Sequence, residues 1–173
     1  MTVYRAQEPV KLAIAGDCKN AMKLEQILAP ECTACDVEGG SKKRTLEQIA
    51  DILAGFRPGI GASELFDSLI TRERLGSTGF GKGIALPHCR LTNCDKPMAA
   101  LLKLREPIEF DAMDNHPVDL IFALVVPEEA TSEHLAILQL VAERFENASF
   151  RNRLRNAQSN HELFELAIAP LPN

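Results

Sequence analysis

The sequence has 173 residues, of which 46% are hydrophobic and 25% are charged, and this ordinary composition excludes an intrinsically disordered chain and a fibrous protein. A chain of this length can bury a core without disulfide bonds, so we expect a single domain. The formal net charge of −5 gives no electrostatic footprint for nucleic acid or for an anionic membrane surface.

The chain begins with a segment that has no clear hydrophobic period. We expect residues 1–21 to be a loosely ordered amino-terminal extension and residues 22–173 to form the domain. A short packed strand around residues 10–14 is the alternative. The longest apolar run, Leu120–Pro127, and the amino-terminal run Leu12–Ala15 are far shorter than the roughly 20 residues of a membrane span. We therefore expect a cytoplasmic protein without direct membrane insertion.

Two amphipathic helices are predicted in the first half of the domain. The segment LEQILAP, residues 24–30, predicts one helical turn. Ser41 has a side chain that is preferred at a helix N-cap. The apolar residues that follow it at helical spacing are Leu46, Ile49, Ala50, Leu53 and Phe56. A second helix is predicted from Ala62 to Leu75, with Gly76 ending it.

The second half of the domain alternates strands and helices. Candidate strands are residues 83–87 (GIALP), residues 98–104 (MAALLKL) and the nearly all-apolar run 120–126, which suits a strand buried on both faces. An amphipathic helix follows, capped by Thr131 or Ser132. Its predicted core-facing residues are Leu135, Leu138, Val141, Ala142 and Phe145. This alternation predicts a layered α/β domain.

The glycine-rich sequence GSTGFGKG, residues 76–83, is compared with the known phosphate-binding loops. A nucleotide-binding P-loop needs Ser or Thr where Gly83 stands, and it follows a strand, whereas a helix precedes this stretch. The dinucleotide-binding spacing is absent as well. Two interpretations stay open. The glycines allow a tight turn with positive φ, which we favour slightly, or their bare N–H groups form an anion-binding concavity.

The chain has four histidines with different local settings. His116 lies in a predicted turn, and His161 lies inside a capping box at residues 159–162 that opens a last short helix, so both have structural explanations. His134 falls in the first turn of a helix, where the dipole disfavours imidazolium and a neutral ring can donate a hydrogen bond. A solvated polar residue is the simpler interpretation of His134 alone, and spacing leaves His88 undecided.

The cysteines are predicted to be free thiols of a reducing compartment. The sequence contains Cys18, Cys32, Cys35, Cys89 and Cys94. The spacing of Cys32 and Cys35 suits metal ligands, but no second Cys or His pair completes a site. A nucleophilic Cys89 beside His88 is an open alternative that lacks an orienting group. We expect neither a metal nor a cofactor.

The stretch RERLGSTGFGKGIALPHCR, residues 72–90, resembles the active-site motif of the IIA components of the bacterial phosphotransferase system. The resemblance is to the mannitol/fructose type and, within it, to the nitrogen-regulatory branch. The pattern R-E-x-x-x-S-T-G-x-G-x-G-I-A-x-P-H is met at every fixed position from Arg72 to His88. Similarity to the family extends over about residues 22–168.

This resemblance implies a fold and a set of site residues. The fold is a single three-layer α/β domain whose mixed sheet of four or five strands carries helices on both faces. His88 would accept a phosphoryl group from a small histidine-phosphorylated carrier protein of the HPr or NPr kind. Arg72 and His134 would be the other catalytic residues, the first holding phosphate oxygens and the second donating a hydrogen bond.

The nitrogen-regulatory branch implies a signalling phosphoprotein. Its phosphorylation state would control contacts with regulatory target proteins in nitrogen and potassium homeostasis. Two alternatives stay open: a sugar-specific IIA component that passes the group to a permease IIB domain, and an interaction module that is never phosphorylated. A homo-oligomer is compatible with the sequence.

Overall fold

The computed structural model describes residues 22–172, so the expectations for residues 1–21 lie outside the described part. The strands are β1 (Leu28–Val37), β2 (Gly79–Gly81), β3 (Ile84–Ala85), β4 (His88–Leu91), β5 (Met98–Ile108) and β6 (Val118–Pro127). The helices are α1 (Lys42–Phe56), α2 (Ala62–Leu75), α3 (Thr131–Glu146), α4 (Ala148–Asn156) and α5 (Asn160–Ile168). The turn predicted at residues 24–30 is a 3-10 turn over Leu24–Gln26 only, and residues 28–30 belong to β1.

The strands form one mixed sheet in the order β1-β5-β6-β3-β2, with β4 pairing β6 as well. The pair β5–β6 is antiparallel, whereas β1 runs parallel to β5, and β3 and β4 run parallel to β6. The layered α/β prediction is confirmed. The sheet has six strands rather than the expected four or five, because β1, β2 and β4, which the sequence pattern did not indicate, join β3, β5 and β6.

Helices cover both faces of the sheet and bury two apolar cores. Along β6 the side chains alternate between them, as the period of two in a strand requires. Ala123 and Val125 pack into the core shared with α1 and α2. Phe122 and Leu124 pack into the core shared with α3, α4 and α5. This two-sided burial explains why β6 reads as an almost unbroken apolar run.

The predicted helix limits and caps are largely confirmed. The second helix runs from Ala62 to Leu75, as predicted. The Ser41 side chain caps α1 by accepting a hydrogen bond from the Arg44 N–H at 3.2 Å. Ser159 caps α5 in the same way, because its hydroxyl oxygen accepts from the Glu162 N–H at 3.1 Å.

Helix α3 differs from the prediction in its start and at one residue of its buried face. Ala130, rather than Thr131 or Ser132, occupies the N-cap position. Val141 and Phe145 are buried and Leu138 and Ala142 pack against the core, as predicted, but Leu135 is 67% exposed and Ile137 is buried instead. The apolar residues of this helix are compatible with two possible buried faces, shifted by about one residue along the sequence. Periodicity alone therefore does not identify the buried face. The sheet contacts the face that begins at His134.

Among the helices of residues 22–172, none combines the length and the apolar character that crossing a membrane requires.

Candidate functional site

The glycine-rich stretch folds into a hairpin beside the candidate site. Strands β2 and β3 are joined by Lys82 and Gly83, both with positive φ (59° and 79°), as a two-residue hairpin turn of type I′ requires. A Cβ on Gly79 would lie 2.7 Å from the Ala112 Cα. The Lys82 N–H donates to Asp114 Oδ2 at 2.8 Å and is not available to an anion. These contacts support the tight-turn interpretation of the glycines.

His88 is the first residue of β4 and is half-buried. Its Nδ1 lies 2.9 Å from the Leu86 carbonyl oxygen. Since a carbonyl oxygen can only accept, Nδ1 carries the ring proton and Nε2 keeps a free lone pair. Burial lowers the pKa of His88, as does the charge of Arg72, although the Leu86 hydrogen bond and the Glu73 charge act in the opposite direction. The imidazole is therefore neutral near pH 7.

His134 lies on the buried face of α3, close to His88. The two ring centroids are 5.3 Å apart and the ring planes make an angle of 69°. Burial lowers the pKa of His134, and the charges of His88, Arg90 and Arg72 lower it further. Its buried Nδ1 has no hydrogen-bond partner within residues 22–172. An orphaned lone pair costs less than an orphaned N–H, so the favoured neutral tautomer of His134 carries its proton on Nε2.

Two arginines accompany the histidines. Arg72 lies in the last turn of α2, and its Nη1 donates to the Gly76 carbonyl oxygen at 3.0 Å. Arg90 follows His88 by two residues on β4, so the two side chains lie on the same face of the strand. Our sequence reasoning did not select Arg90. The period of two along a strand through His88 is the signal that indicates it.

These residues surround one cleft with a volume of about 560 Å³. Its walls are Asp67, Ser68, Thr71, Arg72, Leu75, His88, Cys89, Arg90 and His134. The structure thus brings together all three candidate residues, His88, Arg72 and His134, from α2, β4 and α3. The exposed side chain of Leu75 contributes an apolar part of the wall.

The cysteines of the described residues offer no reactive thiolate at the cleft. Cys89 is buried, and burial raises the pKa of its thiol to about 12. Burial likewise raises the pKa of Cys32 to about 11. A thiol with so high a pKa is not the nucleophile of a neutral-pH reaction, which argues against a nucleophilic Cys89. Cys18 lies outside the described residues.

The chain was compared with known proteins. Residues 26–168 match the family model described as phosphoenolpyruvate-dependent sugar phosphotransferase system, EIIA 2. A nitrogen regulatory protein of Pseudomonas aeruginosa is 50% identical over 147 residues, which are 85% of this chain and 96% of that protein.

Two solved structures share the fold. The crystal structure of the nitrogen regulatory protein IIA-Ntr from Neisseria meningitidis matches with a TM-score of 0.78 and 39% identity, covering 83% of this chain and 98% of that one. IIA mannitol from Escherichia coli matches with a TM-score of 0.63 over 78% of this chain and 95% of that one, and at 19% identity the likeness concerns the fold alone. With the family model spanning most of the sequence, the chain belongs to the EIIA type 2 family of the phosphotransferase system, in its nitrogen-regulatory branch.

Proposed function

We propose that this chain is a regulatory phosphoryl carrier that accepts a phosphoryl group on Nε2 of His88. The observation that carries the proposal is the 2.9 Å contact between His88 Nδ1 and the Leu86 carbonyl oxygen. This contact fixes the tautomer in which Nε2 has a lone pair, and the lowered pKa of His88 keeps that lone pair unprotonated near neutral pH.

The donor in this proposal is a phosphohistidine of a carrier protein of the HPr or NPr kind. Its P–N bond breaks as a new P–N bond forms to Nε2 of His88. The proton on Nδ1 stays in place, and the Leu86 carbonyl oxygen stabilises the positive charge that develops on the ring. The departing imidazole of the donor takes the electron pair of the broken bond, so no other co-reactant is needed.

Arg72 and His134 would stabilise the transferred group. Phosphoryl transfer depends mostly on positioning and on neutralising charge at the phosphoryl oxygens. The guanidinium of Arg72 is a planar fork of N–H donors, and its hydrogen bond to Gly76 limits its freedom before the phosphoryl group arrives. His134, with its proton on Nε2 and its ring 5.3 Å from His88, supplies one further donor.

The phosphorylated and unphosphorylated forms would differ in the partners they bind. A phosphoryl group adds about two negative charges to a cleft whose walls present two guanidinium groups and the carboxylate of Asp67, so the cleft loses its net positive charge. We propose that regulatory target proteins, including those of nitrogen and potassium homeostasis, distinguish the two forms by this change. The name of the Pseudomonas relative, nitrogen regulatory protein, supports a regulatory role.

Phosphorylation with purified carriers tests the proposal. After incubation with phosphoenolpyruvate, the first enzyme of the system and its carrier protein, we expect the chain to gain one acid-labile phosphoryl group by mass spectrometry. His88→Gln should gain none, because glutamine has no ring nitrogen. The matched control, His134→Gln, alters the same cleft but keeps the acceptor, so it should gain the group more slowly. An unmodified wild-type chain, or a phosphorylated His88→Gln chain, would contradict the proposal.

A second function is favoured by the description of the family model, which names a sugar phosphotransferase system. A sugar-specific IIA component passes its phosphoryl group to a IIB domain. Mixing the phosphorylated chain with a mannitol- or fructose-specific IIB domain separates the two functions. We expect no transfer within the lifetime of the phosphohistidine, and rapid transfer would instead assign the chain to sugar transport.

A further inference from the structure

A buried carboxylate and a half-buried lysine form an ion pair next to the loop that leads to His88. The Glu73 side chain, in the last turn of α2, is 2% exposed, and its Oε1 lies 2.9 Å from Lys42 Nζ. Lys42 is the first residue of α1 and its side chain is 20% exposed. Neither charge lines the cleft. The chemistry proposed above therefore does not account for this pair.

The carboxylate of Glu73 accepts hydrogen bonds from both donors of Thr78, the backbone N–H and the hydroxyl. Its Oε1 accepts from the Thr78 N–H at 2.9 Å, and its Oε2 accepts from the Thr78 hydroxyl at 2.5 Å. The Thr78 carbonyl oxygen in turn accepts from the Leu86 N–H at 3.0 Å. Since the Leu86 carbonyl oxygen binds the ring of His88, an unbroken chain of hydrogen bonds joins Glu73 to the imidazole.

Along this series of hydrogen bonds, one backbone bond that is expected between β2 and β3 is replaced by a bond to a side chain. The register that pairs Gly79 with Ala85 places Thr78 opposite Leu86. A hydrogen-bonded pair of an antiparallel ladder exchanges two bonds, but here the pair makes only the one from the Leu86 N–H. The Thr78 N–H donates to Glu73 instead. The Leu86 carbonyl oxygen is thereby left for His88 Nδ1.

Stability alone does not explain the ion pair. The helix dipole disfavours a cation at the first residue of a helix and an anion in the last turn. Lys42 and Glu73 occupy these two unfavourable positions in α1 and α2. Buried ion pairs also lose in desolvation much of what they gain in attraction. The ion pair at these positions is better explained by the way in which it orients the groups that Glu73 binds.

We propose that Glu73, held by Lys42, is a positioning residue that keeps the Thr78 N–H away from the Leu86 carbonyl oxygen and so fixes the tautomer and orientation of His88. The proposal rests on the function proposed above. Without the carboxylate, the Thr78 N–H can complete the ladder with Leu86 and compete with His88 Nδ1. The ring then populates both neutral tautomers, and Nε2 is protonated in part of the molecules.

The tautomer can be measured directly by ¹⁵N NMR of the His88 ring in the unphosphorylated full-length chain. We expect a single Nδ1–H tautomer in the wild type and a mixture in Lys42→Met/Glu73→Leu, which removes both charges together so that no buried charge is left unpaired. Glu73→Gln, whose neutral amide oxygen is a weaker acceptor, should show a smaller change in the same direction.

Ser77→Ala is the matched control in the same loop. The Ser77 hydroxyl donates to the Phe110 carbonyl oxygen at 2.7 Å and accepts from the Gly79 N–H at 3.0 Å, but it is not part of the chain to His88. Its loss should lower stability without changing the tautomer. An equal tautomer change in Ser77→Ala would show general loosening of the loop and would overturn the proposal.

Kinetics give a second readout. Loss of the correct tautomer should lower the maximal rate constant of phosphoryl transfer about tenfold or more, while the carrier concentration at half-maximal rate stays the same. A pure Nδ1–H tautomer in both Glu73 variants overturns the proposal. If the double variant does not fold, Glu73→Gln and Ser77→Ala decide alone. Because the tautomer is read without phosphorylation, this result is independent of whether the wild-type chain is phosphorylated.

Discussion

At the scale of single residues, the two guanidinium groups of the cleft are held differently. Arg72 is half-buried and hydrogen-bonded to Gly76, whereas Arg90 is exposed. A group that is already ordered loses less conformational freedom when it binds a ligand. Its planar fork also contacts two oxygens of a phosphoryl group at once. Arg72 is therefore expected to contribute more to transfer than Arg90.

Two charge-conserving substitutions test this difference. Arg72→Lys keeps the charge but loses the fork, so we expect the single-turnover rate of phosphoryl transfer to fall about 100-fold. Arg90→Lys should change the rate by less than about threefold, because an exposed cation acts mainly through its charge. Rapid-quench measurements with phosphorylated carrier protein give both rates. A loss in Arg72→Lys as small as that in Arg90→Lys would mean that Arg72 acts only through its charge.

The site was only partly predictable from residue patterns. Spacing alone left His88 undecided and favoured a solvated His134, and the resemblance of residues 72–90 to a known motif was needed to connect them with Arg72. The role of Glu73 depends on a contact with Thr78 across a turn and on Lys42 from another helix, and such contacts leave no periodic signal in the sequence.

At the scale of elements, the hairpin between β2 and β3 is built around glycines that cannot be replaced without strain. Gly83 has a φ of 79°, and a Cβ there would lie 2.5 Å from Arg155 Nη2 and 2.9 Å from Asp119 Oδ1. Those two side chains are ion-paired at 2.9 Å, and Arg155, in α4, also donates to the Lys82 carbonyl oxygen of the hairpin turn at 2.6 Å. Gly55, in α1, has no atom within 4 Å of the same position.

A pair of glycine substitutions follows from this contrast. Gly83→Ala should lower the free energy of unfolding by about 1–3 kcal/mol, because it forces a side chain into left-handed backbone and against the Arg155–Asp119 pair. Gly55→Ala should raise it by about 0.5–1 kcal/mol, because alanine is the better helix former and meets no obstacle. Urea unfolding of both variants measures the difference. A stabilising Gly83→Ala would contradict the hairpin geometry.

Elements with strong patterns were predictable, and elements held by pairing were not. The sequence of helix α2 has apolar residues at helical spacing, and strand β6 is an almost continuous apolar run. Strand β1 contains Pro30 and the exposed charged residues Glu31 and Asp36, and it is a strand because it pairs with β5 at the edge of the sheet. Helix α3 was predicted correctly as a helix, but its buried face depends on how the helix docks.

At the scale of the whole molecule, the two cleft histidines make the fold sensitive to acid. Burial lowers the pKa of both His88 and His134 below the value of 6.5 that an unfolded chain has. Between the folded and unfolded pKa values the unfolded state binds more protons. The contribution of these two histidines to stability is therefore fully present above pH 6.5 and is lost as the pH falls through their folded pKa values.

Urea unfolding above and below pH 6.5 tests this linkage. We expect the free energy of unfolding to fall on acidification, and to fall less steeply in the double variant His88→Gln/His134→Gln. The Arg57 side chain lowers the pKa of Asp95, and the Lys82 N–H lowers the pKa of Asp114. The ordinary pKa of an aspartate is already 3.8, so the contribution of these two residues to stability is lost only in more acid solution. If the free energy of unfolding fell as steeply with acidification in the double variant as in the wild type, the histidines would be excluded as the cause.

The cleft draws its residues from both helical layers, and this has a consequence for folding. Arg72 comes from α2 on one face of the sheet and His134 from α3 on the other, with His88 on β4 between them. A partly folded chain in which only one layer has docked contains the acceptor without its complete surroundings. If the proposed function is correct, a chain in which only one helical layer has docked should be a poorer phosphoryl acceptor than the native chain, because it lacks either Arg72 or His134 beside His88.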